Sequence, residues 1–129
     1  MIQSNAFDYI NVLDKAADAA WLRNDAISNN IANVDTPGYK RQDVNFEVQL
    51  QKAIKSNRYD SIDEKVENIK LNRLNPVTYR DHADVSYRLD GNNVDIDTEN
   101  VELASNQIRY QGLTDSITQE FANLRMVMK

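Results

Sequence analysis

Apolar and small residues recur at alternating steps of three and four along the first part of the chain, with one asparagine among them. The stripe comprises Ile10, Leu13, Ala17, Ala20, Asn24, Ile27, Ile31 and Val34. This is the a/d spacing of a helix that buries one face against a second helix. It predicts a helix from about residue 5 to 33, roughly 40 Å long at about 1.5 Å per residue, which needs an equally long partner.

The middle of this stripe is narrow and partly polar. Ala17 and Ala20 allow a partner helix to approach the backbone closely. Asn24 places an amide on the seam, which costs stability but selects register and partner number.

A second long helix is predicted over residues 95–129. Asp95 or Asp97 is expected to cap its first turn. One apolar stripe comprises Leu103, Tyr110, Leu113, Ile117, Leu124 and Met128, and another comprises Val101, Ala104 and Ile108. Two stripes imply two neighbours, and Gly112 weakens the helix interior by about 1 kcal/mol relative to alanine, so outside contacts must hold it.

A turn separates the first helix from the rest of the chain. In the stretch DTPGYK, Pro37 and Gly38 take the central positions of a predicted type II turn. Because Thr36 precedes proline and is disfavoured in helical geometry, the helix is expected to stop at or before Val34.

The middle of the chain is predicted to be less ordered. Residues 41–57 have the spacing of a short amphipathic helix, and the charged stretch 58–74 indicates a weakly ordered helical segment. Residues 76–80 and 85–89 alternate apolar and polar side chains, which favours a small β hairpin.

These elements predict a single, mainly α subunit. Its N-terminal helix (1–34) and C-terminal helix (95–129) pair as a coiled coil, and a turn and middle segment (35–94) join them. The chain ends would then meet, with apolar surface left on each helix.

Composition narrows the function. The 129 residues carry a formal net charge of −5 with scattered lysines and arginines, which argues against nucleic acid and anionic membranes as partners. The lack of cysteine excludes disulfides, thiolate metal sites and a cysteine nucleophile. Asp8 and Asp14 interrupt the region where a cleaved Sec signal would need apolar residues, and no segment approaches the roughly 20 apolar residues of a membrane span.

Candidate chemistry is sparse. His82 lies between Asp81 and Asp84, but no nucleophile motif accompanies it, so an exposed loop histidine is the favoured interpretation. The acidic run 90–100 fits an EF-hand loop badly, since Asp95 stands where glycine is required when Asp90 is the first ligand. A turn followed by a helix cap is preferred to calcium binding, and no cofactor or small-molecule substrate is expected.

Trp21 and the six tyrosines are interpreted as packing residues, given the acidic charge. The three asparagines Asn29, Asn30 and Asn33 surround an Ile-Ala pair at the end of the first helix. They can bond free carbonyls, the turn backbone or a neighbouring subunit, or they can form an ordinary asparagine-rich helix end.

Two stretches resemble a known family. Residues 22–47, LRNDAISNNIANVDTPGYKRQDVNFE, closely resemble the N-terminal signature of bacterial flagellar axial proteins, the rod and hook family. Residues 35–47 together with 90–128 are more particularly similar to its proximal rod members. The two matches cover about half the chain, and the part between 48 and 89 has no such match.

The resemblance implies a structural protein and not an enzyme. In that family the terminal helices pair as a coiled coil that lines the inner tube of the rod, and subunits stack helically around an export channel. Each subunit is secreted unfolded by the flagellar type III apparatus, without a cleaved signal peptide. The implied location is the periplasmic rod of the basal body. The implied partners are other rod subunits, further copies of this chain, the rod junction protein, the membrane ring and the export gate.

The resemblance also assigns assembly residues. The motif comprises Asn29, Asn30, Ile31, Ala32, Asn33, Thr36, Pro37, Gly38 and Tyr39. The asparagines and Ile31 are expected to contact other subunits, and Pro37 to Tyr39 to send the chain out of the inner tube. Asn106, Gln107 and Tyr110 are the corresponding candidates in the C-terminal match.

Two other classes of protein remain open from the residues alone. A helical adaptor or chaperone would use the same seam but has no need of the turn motif. An enzyme would need a convergent polar pocket, for which the sequence offers His82 and scattered carboxylates.

Overall fold

The computed structural model describes residues 6–56, 58–81 and 88–129. Two long helices enclose a middle section of short elements. In chain order the elements are helix α1 (Ala6–Ala32), strand β1 (Gln42–Val44), helix α2 (Glu47–Lys55), helix α3 (Ile62–Glu67), a 3-10 turn (Leu71–Arg73), strand β2 (Thr78–Arg80) and helix α4 (Ile96–Val127). The mainly α architecture predicted from the sequence is confirmed.

Helices α1 and α4 pack against each other in antiparallel directions. Near the end of α1, Asn30 donates a hydrogen bond to Glu99 at the start of α4. Further back along α1, the carbonyl of Ala20 accepts one from Asn106 at 2.7 Å. Positions that descend α1 therefore meet positions that ascend α4, as expected of two helices joined by a returning chain.

Helix α4 begins as its sequence predicts. The carboxylate of Asp95 accepts hydrogen bonds from the backbone amides of Asp97 and Thr98 at 3.0 and 3.4 Å. It thereby satisfies two of the free amides of the first turn. The turn and cap preferred over a calcium loop are confirmed, since Gly91 occupies the left-handed region at φ +77° and its amide donates to the carbonyl of Arg88.

Much of α4 is uncovered. Its buried residues are Glu99 and Asn106, both polar. Two members of its second apolar stripe, Val101 and Ile108, are 69% and 75% exposed. The helix pair thus covers one side of α4 and leaves an apolar stripe in solvent.

The middle section differs from the sequence-based expectation in its strands. Residues 41–57 do not form one helix, because Gln42–Val44 pairs as a strand with Thr78–Arg80 before α2 begins at Glu47. The register places Asp43 opposite Tyr79. Strand β2 thus pairs with a strand far earlier in the chain. The second strand of the predicted hairpin, residues 85–89, lies mostly outside the described residues.

The small core fills the space between α1, α2 and the 3-10 turn. Its buried members are Ala19, Val44, Phe46, Ile69 and Leu74. Leu50, Ile54 and Leu71 pack against this cluster from α2 and the turn. The charged stretch 58–74 is helical, as predicted, where α3 runs from Ile62 to Glu67, and Ser61 caps that helix by accepting from the amide of Glu64.

The turn after α1 has the predicted geometry. Gly38 lies at φ +74°, and the amide of Tyr39 donates to the carbonyl of Thr36 at 3.2 Å. Helix α1 ends at Ala32, which agrees with the prediction that it stops at or before Val34.

Substitution of two glycines by alanine is expected to have opposite effects on stability. Gly38→Ala should lower the free energy of unfolding by about 1 to 2 kcal/mol, because a Cβ is strained at positive φ although the space around it is open. Gly112→Ala should raise it by about 1 kcal/mol, since this glycine lies inside α4 with open space around it. Urea denaturation of both variants beside the wild type measures the difference, and changes of the same sign would contradict the assignment.

Candidate functional site

The end of α1, the turn, β1 and the start of α4 meet in a polar cluster, here called the junction. It joins residues 30–43 to residues 88–99. The amide of Gly38 donates to the carbonyl of Asp90 at 2.8 Å, and the amide of Asn93 donates to the carbonyl of Tyr39 at 3.3 Å. The two stretches that carry the family resemblance are thus bonded backbone to backbone.

Asn30 forms the centre of the junction. Its side chain is fully buried, and its Oδ1 accepts from the amide of Gln42 at 2.8 Å and from the Tyr39 hydroxyl at 3.3 Å. Its Nδ2 donates to the carbonyl of Gln42 at 2.8 Å and to Glu99 at 3.1 Å. The amide therefore holds β1 in the way that a neighbouring strand would, from a position on a helix.

A buried ion pair lies beside Asn30. The Glu99 carboxylate is 1% exposed, and its Oε1 accepts from Arg41 Nε at 2.7 Å. Arg41 also lies 3.3 Å from Asp81 and 3.5 Å from Asp43. Burial opposes the charged guanidinium, but the hydrogen bond and charge of Glu99, with the charge of Asp43, raise the pKa of Arg41 above its ordinary value.

Asn92 caps the C-terminal end of α1 from across the chain. Its buried Nδ2 lies 2.9, 3.0 and 2.9 Å from the carbonyl oxygens of Asn33, Val34 and Thr36. These carbonyls follow the helix end, where no backbone amide is available in the helical pattern. The Oδ1 of Asn92 accepts from the amide of Val94 at 2.8 Å, so one amide fixes both chain segments.

Asn33 makes local contacts at the same helix end. Its Nδ2 donates to the carbonyl of Asn29 at 2.8 Å, and its Oδ1 accepts from the Thr36 hydroxyl at 3.1 Å. Of the alternatives for the three asparagines, Asn33 thus bonds a carbonyl of the last helical turn and the turn that follows, and Asn30 bonds the chain after the turn. The side chain of Asn29 is exposed.

The predicted assembly motif divides by exposure. Asn29, Ala32, Thr36, Pro37 and Gly38 are exposed, Ile31, Asn33 and Tyr39 are partly buried, and Asn30 is buried. Asn30 makes four hydrogen bonds within the chain, and its expected contact with another subunit stays a prediction. The exposed members are free to contact another molecule.

The predicted helix seam is buried in its central part. Ile10, Ala17, Ala20, Ile27 and Asn106 are buried, Leu13, Asn24, Leu103, Leu113, Ile117 and Leu124 are partly buried, and Gln107 and Tyr110 are exposed. The Oδ1 atoms of Asn24 and Asn106 are buried with no hydrogen-bond partner among the described residues. Each such acceptor costs about 1 to 3 kcal/mol, so the pair of helices carries a polar layer that weakens it.

A second charged cluster ties α1 to α2 and α4. Arg23 donates from Nη1 and Nη2 to the two oxygens of Glu47, both at 2.6 Å, and from Nη2 to the carbonyl of Val44 at 2.7 Å. Arg109 of α4 also donates to Glu47 at 2.6 Å. The hydrogen bond from Arg23 lowers the pKa of Glu47 below its ordinary value, against the opposing effect of burial.

Replacement of Asn92 by alanine is expected to lower the free energy of unfolding by about 1 kcal/mol, because it removes the Nδ2 donor that three carbonyls at the end of α1 share, while the carbonyls of Asn33 and Thr36 keep a backbone amide. Amide hydrogen exchange should accelerate in the last turn of α1, although that turn is remote from Asn92 in the sequence. Asn100→Ala, an exposed asparagine of α4, is the control and should leave both quantities nearly unchanged. Equal effects of the two variants would count against the cap.

The residues considered for chemistry do not converge. His82 and Asp84 lie outside the described residues. Asp90 pairs with Arg88 at 2.9 Å, and Asp95 caps α4. Within the described part of the chain, no group of three or more acidic or histidine side chains is placed to hold a metal ion. No helix there is long and apolar enough to cross a membrane.

Sequence reasoning missed three residues of the junction. The sequence pattern assigns Arg41 to a predicted helix and Asn92 to a turn, and it does not predict the contacts of Glu99. The available signal was composition, since Asn92 and Asn93 lie beside Gly91 in a stretch that resembles the family. Their partners lie more than 50 residues away, so no local pattern names them.

Comparison with known proteins adds evidence from sequence similarity. A family model described as flagella basal body rod protein matches residues 10–40, which cover most of α1 and the turn. Among similar curated proteins, flagellar basal body rod protein FlgB of Bacillus subtilis (strain 168) is 36% identical over 92% of this chain and 92% of its own. The Borrelia hermsii protein of the same name is 32% identical over 93% of this chain and 95% of its own. The Escherichia coli (strain K12) protein is 30% identical over 83% of each chain. Identity at this level along nearly the whole chain, with the matched motif lying in the junction, shows that the chain belongs to the FlgB family of flagellar basal body rod proteins.

Proposed function

We propose that this chain is a structural subunit of the proximal rod of the bacterial flagellar basal body. It polymerises with other rod proteins into the hollow shaft that transmits torque and encloses the export channel, and swimming requires it. Family membership supports the structural role, and the family is one of rod proteins and not of enzymes.

The observation that carries this proposal is the uncovered apolar surface of α4. Val101 and Ile108 are 69% and 75% exposed on one stripe, and Met126 and Val127 near its end are 66% and 79% exposed. An apolar stripe left in solvent along a helix marks a protein interaction surface. A subunit packed among copies and relatives would bury it.

The exposed part of the motif serves assembly in this proposal. Asn29, Ala32 and Pro37 are presented at the surface beside the turn. Asn30 and Asn33 act indirectly, by fixing the path along which the chain leaves α1. The partly covered Ile31 completes this contact surface.

The remaining parts of the proposal concern location and partners. The subunit reaches the periplasmic rod through the flagellar type III apparatus, without a cleaved signal peptide. Its partners are other rod subunits, copies of itself, the rod junction protein, the membrane ring and the export gate. It takes no cofactor and no small-molecule substrate.

The experiment is complementation in the bacterium that encodes the chain, with its gene deleted. The wild-type gene should restore swimming, and Ile108→Asp should not, because a carboxylate on the exposed stripe cannot be buried without a partner. Thr118→Asp, at another exposed position of α4, is the matched control and should restore swimming. Basal bodies isolated from each strain show whether the rod is present.

Failure of the wild-type gene to restore swimming would overturn the proposed function. Normal rods with Ile108→Asp would show that the exposed stripe is not the assembly surface. Comparable amounts of each protein in the cells, measured by immunoblotting, exclude degradation as the cause of a defect.

A further inference from the structure

An open cleft lies between the end of α2 and the 3-10 turn. Its volume is about 710 Å³, and its lining side chains come from two segments, one between Gln49 and Tyr59 and one between Asn68 and Arg73. Four of the lining side chains are basic, namely Lys52, Arg58, Lys70 and Arg73. Among the described residues that line the cleft, none is acidic. A cleft whose charged lining residues are all basic is unexpected in a chain whose formal net charge is −5.

The four cations are not neutralised within the described chain. Each of these side chains is exposed, and none is within ion-pair distance of a carboxylate among the described residues. Arg58 instead lies over the ring of Tyr59, 5.8 Å from its centroid. The cleft therefore presents four unpaired positive charges beside apolar surface from Ala53 and Ile69.

The complementary surface lies on the same chain. Asp14, Asp18 and Asp25 are exposed on the outer side of α1, and Trp21 between them is 62% exposed. At about 100° per residue these four side chains fall within an arc of about 60°, and they span about 16 Å along the helix. None of the three carboxylates forms an ion pair with a described residue. This surface is here called the acidic face.

We propose that the basic cleft of one copy of this chain binds the acidic face of α1 of a second copy. The contact places the carboxylates of Asp14, Asp18 and Asp25 against the cations of the cleft. Trp21 provides the apolar anchor, since a tryptophan against Arg58 or Arg73 gains both buried area and a cation–π contact. The inference rests on the proposed function in that it identifies a contact between identical rod subunits.

The arrangement has a consequence for symmetry. The two surfaces are different, and a contact between different surfaces is head-to-tail. Each bound copy leaves one free cleft and one free acidic face, so copies add in one direction until a ring closes or the filament ends. A closed two-fold dimer would need both contacts of the pair, cleft to acidic face in each direction, to form at the same time.

Charge reversal with rescue tests the contact. The purified chain is examined by sedimentation across a concentration series as wild type, as Lys70→Glu/Arg73→Glu, as Asp14→Lys/Asp18→Lys, and with both pairs combined. Each single pair should weaken self-association by about tenfold or more, since like charges then face each other, and the combined variant should recover most of it. Raised salt should weaken the wild type and the combined variant alike.

Arg125→Glu is the matched control, because it reverses an exposed cation outside the cleft. It should leave self-association unchanged. Self-association that survives reversal of the cleft, or that is not restored by the compensating pair, would overturn the proposal. Rescue by Asp97→Lys/Glu102→Lys in place of the α1 pair would overturn it also, and would assign the cleft to the start of α4.

Cysteine cross-linking provides a second test that does not depend on these variants being well folded. The chain has no cysteine, so a cross-link reports only the positions that are introduced. One copy carries Asp18→Cys and a differently tagged copy carries Lys70→Cys, and a short bismaleimide should join them. A Thr118→Cys copy paired with the Lys70→Cys copy is the control, and equal yields in the two mixtures would overturn the proposal.

The same cysteine pairs, expressed in the complemented deletion strain, distinguish a failure of this inference from a failure of the proposed function. The proposed function fails if the wild-type gene does not restore swimming in the deletion strain. The contact fails if swimming is restored but rods from that strain carry no cross-link between positions 18 and 70.

Discussion

Replacement of Glu99 by alanine is expected to be among the most damaging single substitutions in this chain, lowering the free energy of unfolding by about 3 to 5 kcal/mol. The carboxylate is 1% exposed and is bonded to Arg41 at 2.7 Å and to Asn30 at 3.1 Å. Its removal leaves Arg41, whose side chain is 17% exposed, without its shortest ion pair. A small domain has about 5 to 15 kcal/mol of stability in total, so this single substitution should remove a large fraction of it. Urea denaturation followed by far-UV circular dichroism measures the change.

Two further variants separate the buried charge from general damage to α4. Glu102→Ala removes a carboxylate that is exposed on the same helix and should change stability by less than about 0.5 kcal/mol. Arg41→Met/Glu99→Met removes both partners and should be less damaging than Glu99→Ala, since no unpaired charge is left buried. A double variant as unstable as Glu99→Ala would mean that the loss of stability does not come from Arg41 without its partner.

The long helices could be predicted because their signal is local. The α1 stripe repeats at helical spacing over many turns, and Pro37 with Gly38 marks the turn that follows. The predicted end of the helix at about residue 33 differs by one residue from the observed end at Ala32. Helical periodicity and turn chemistry depend on residues a few positions apart, so the chain alone carries this information.

Strand β1 could not be predicted in the same way. Gln42–Val44 has three residues, and it extends because β2 and Asn30 supply its hydrogen-bond partners. Those partners lie 12 to about 40 residues away in the chain, beyond any local pattern. The same segment has a helical arrangement of apolar residues, and tertiary bonding overrides that preference.

The sequence points to the stretch of the chain that forms much of the junction, but it does not predict the contacts that this stretch makes. Most of the stretch from Asn29 to Tyr39 lies in the first segment of the junction, residues 30–43. Which of its side chains are buried depends on which of them face β1. Asn29 and Asn30 are chemically identical neighbours, and one is exposed while the other is fully buried. Only the position of α4 and β1 relative to α1 distinguishes them, and the sequence does not give that position.

The junction sets the path of the chain at the helix ends separately from the packing of the middle section. Residues 30–43 bond directly to residues 88–99, so the geometry at the helix ends is set by these two segments. The intervening helices α2 and α3 pack on α1 through a separate apolar cluster. Changes in the middle section are therefore expected to alter surface and core without altering the path of the chain at the turn.

Replacement of each of the neighbouring asparagines by alanine is expected to give different defects. Asn30→Ala should lower the free energy of unfolding by about 2 to 3 kcal/mol, because it strips the amide and carbonyl of Gln42 and one oxygen of Glu99 of their partner. Asn29→Ala should leave the free energy of unfolding within about 0.5 kcal/mol of the wild type, since its side chain is exposed. Urea denaturation of the two purified variants measures this contrast.

Swimming of the complemented deletion strain separates folding from assembly in the same pair. If Asn29 contacts another subunit, Asn29→Ala should reduce the number of complete rods although the purified protein is as stable as the wild type. Asn30→Ala should reduce rods only in proportion to its loss of stability, and a Gly112→Ala background, which returns about 1 kcal/mol, should recover part of the loss, because Gly112 is remote from the junction and its substitution is expected to stabilise α4. Full rods with Asn29→Ala would remove this residue from the assembly surface. A rod defect with Asn30→Ala that the Gly112→Ala background does not lessen would mean that the buried asparagine becomes exposed to a partner during assembly.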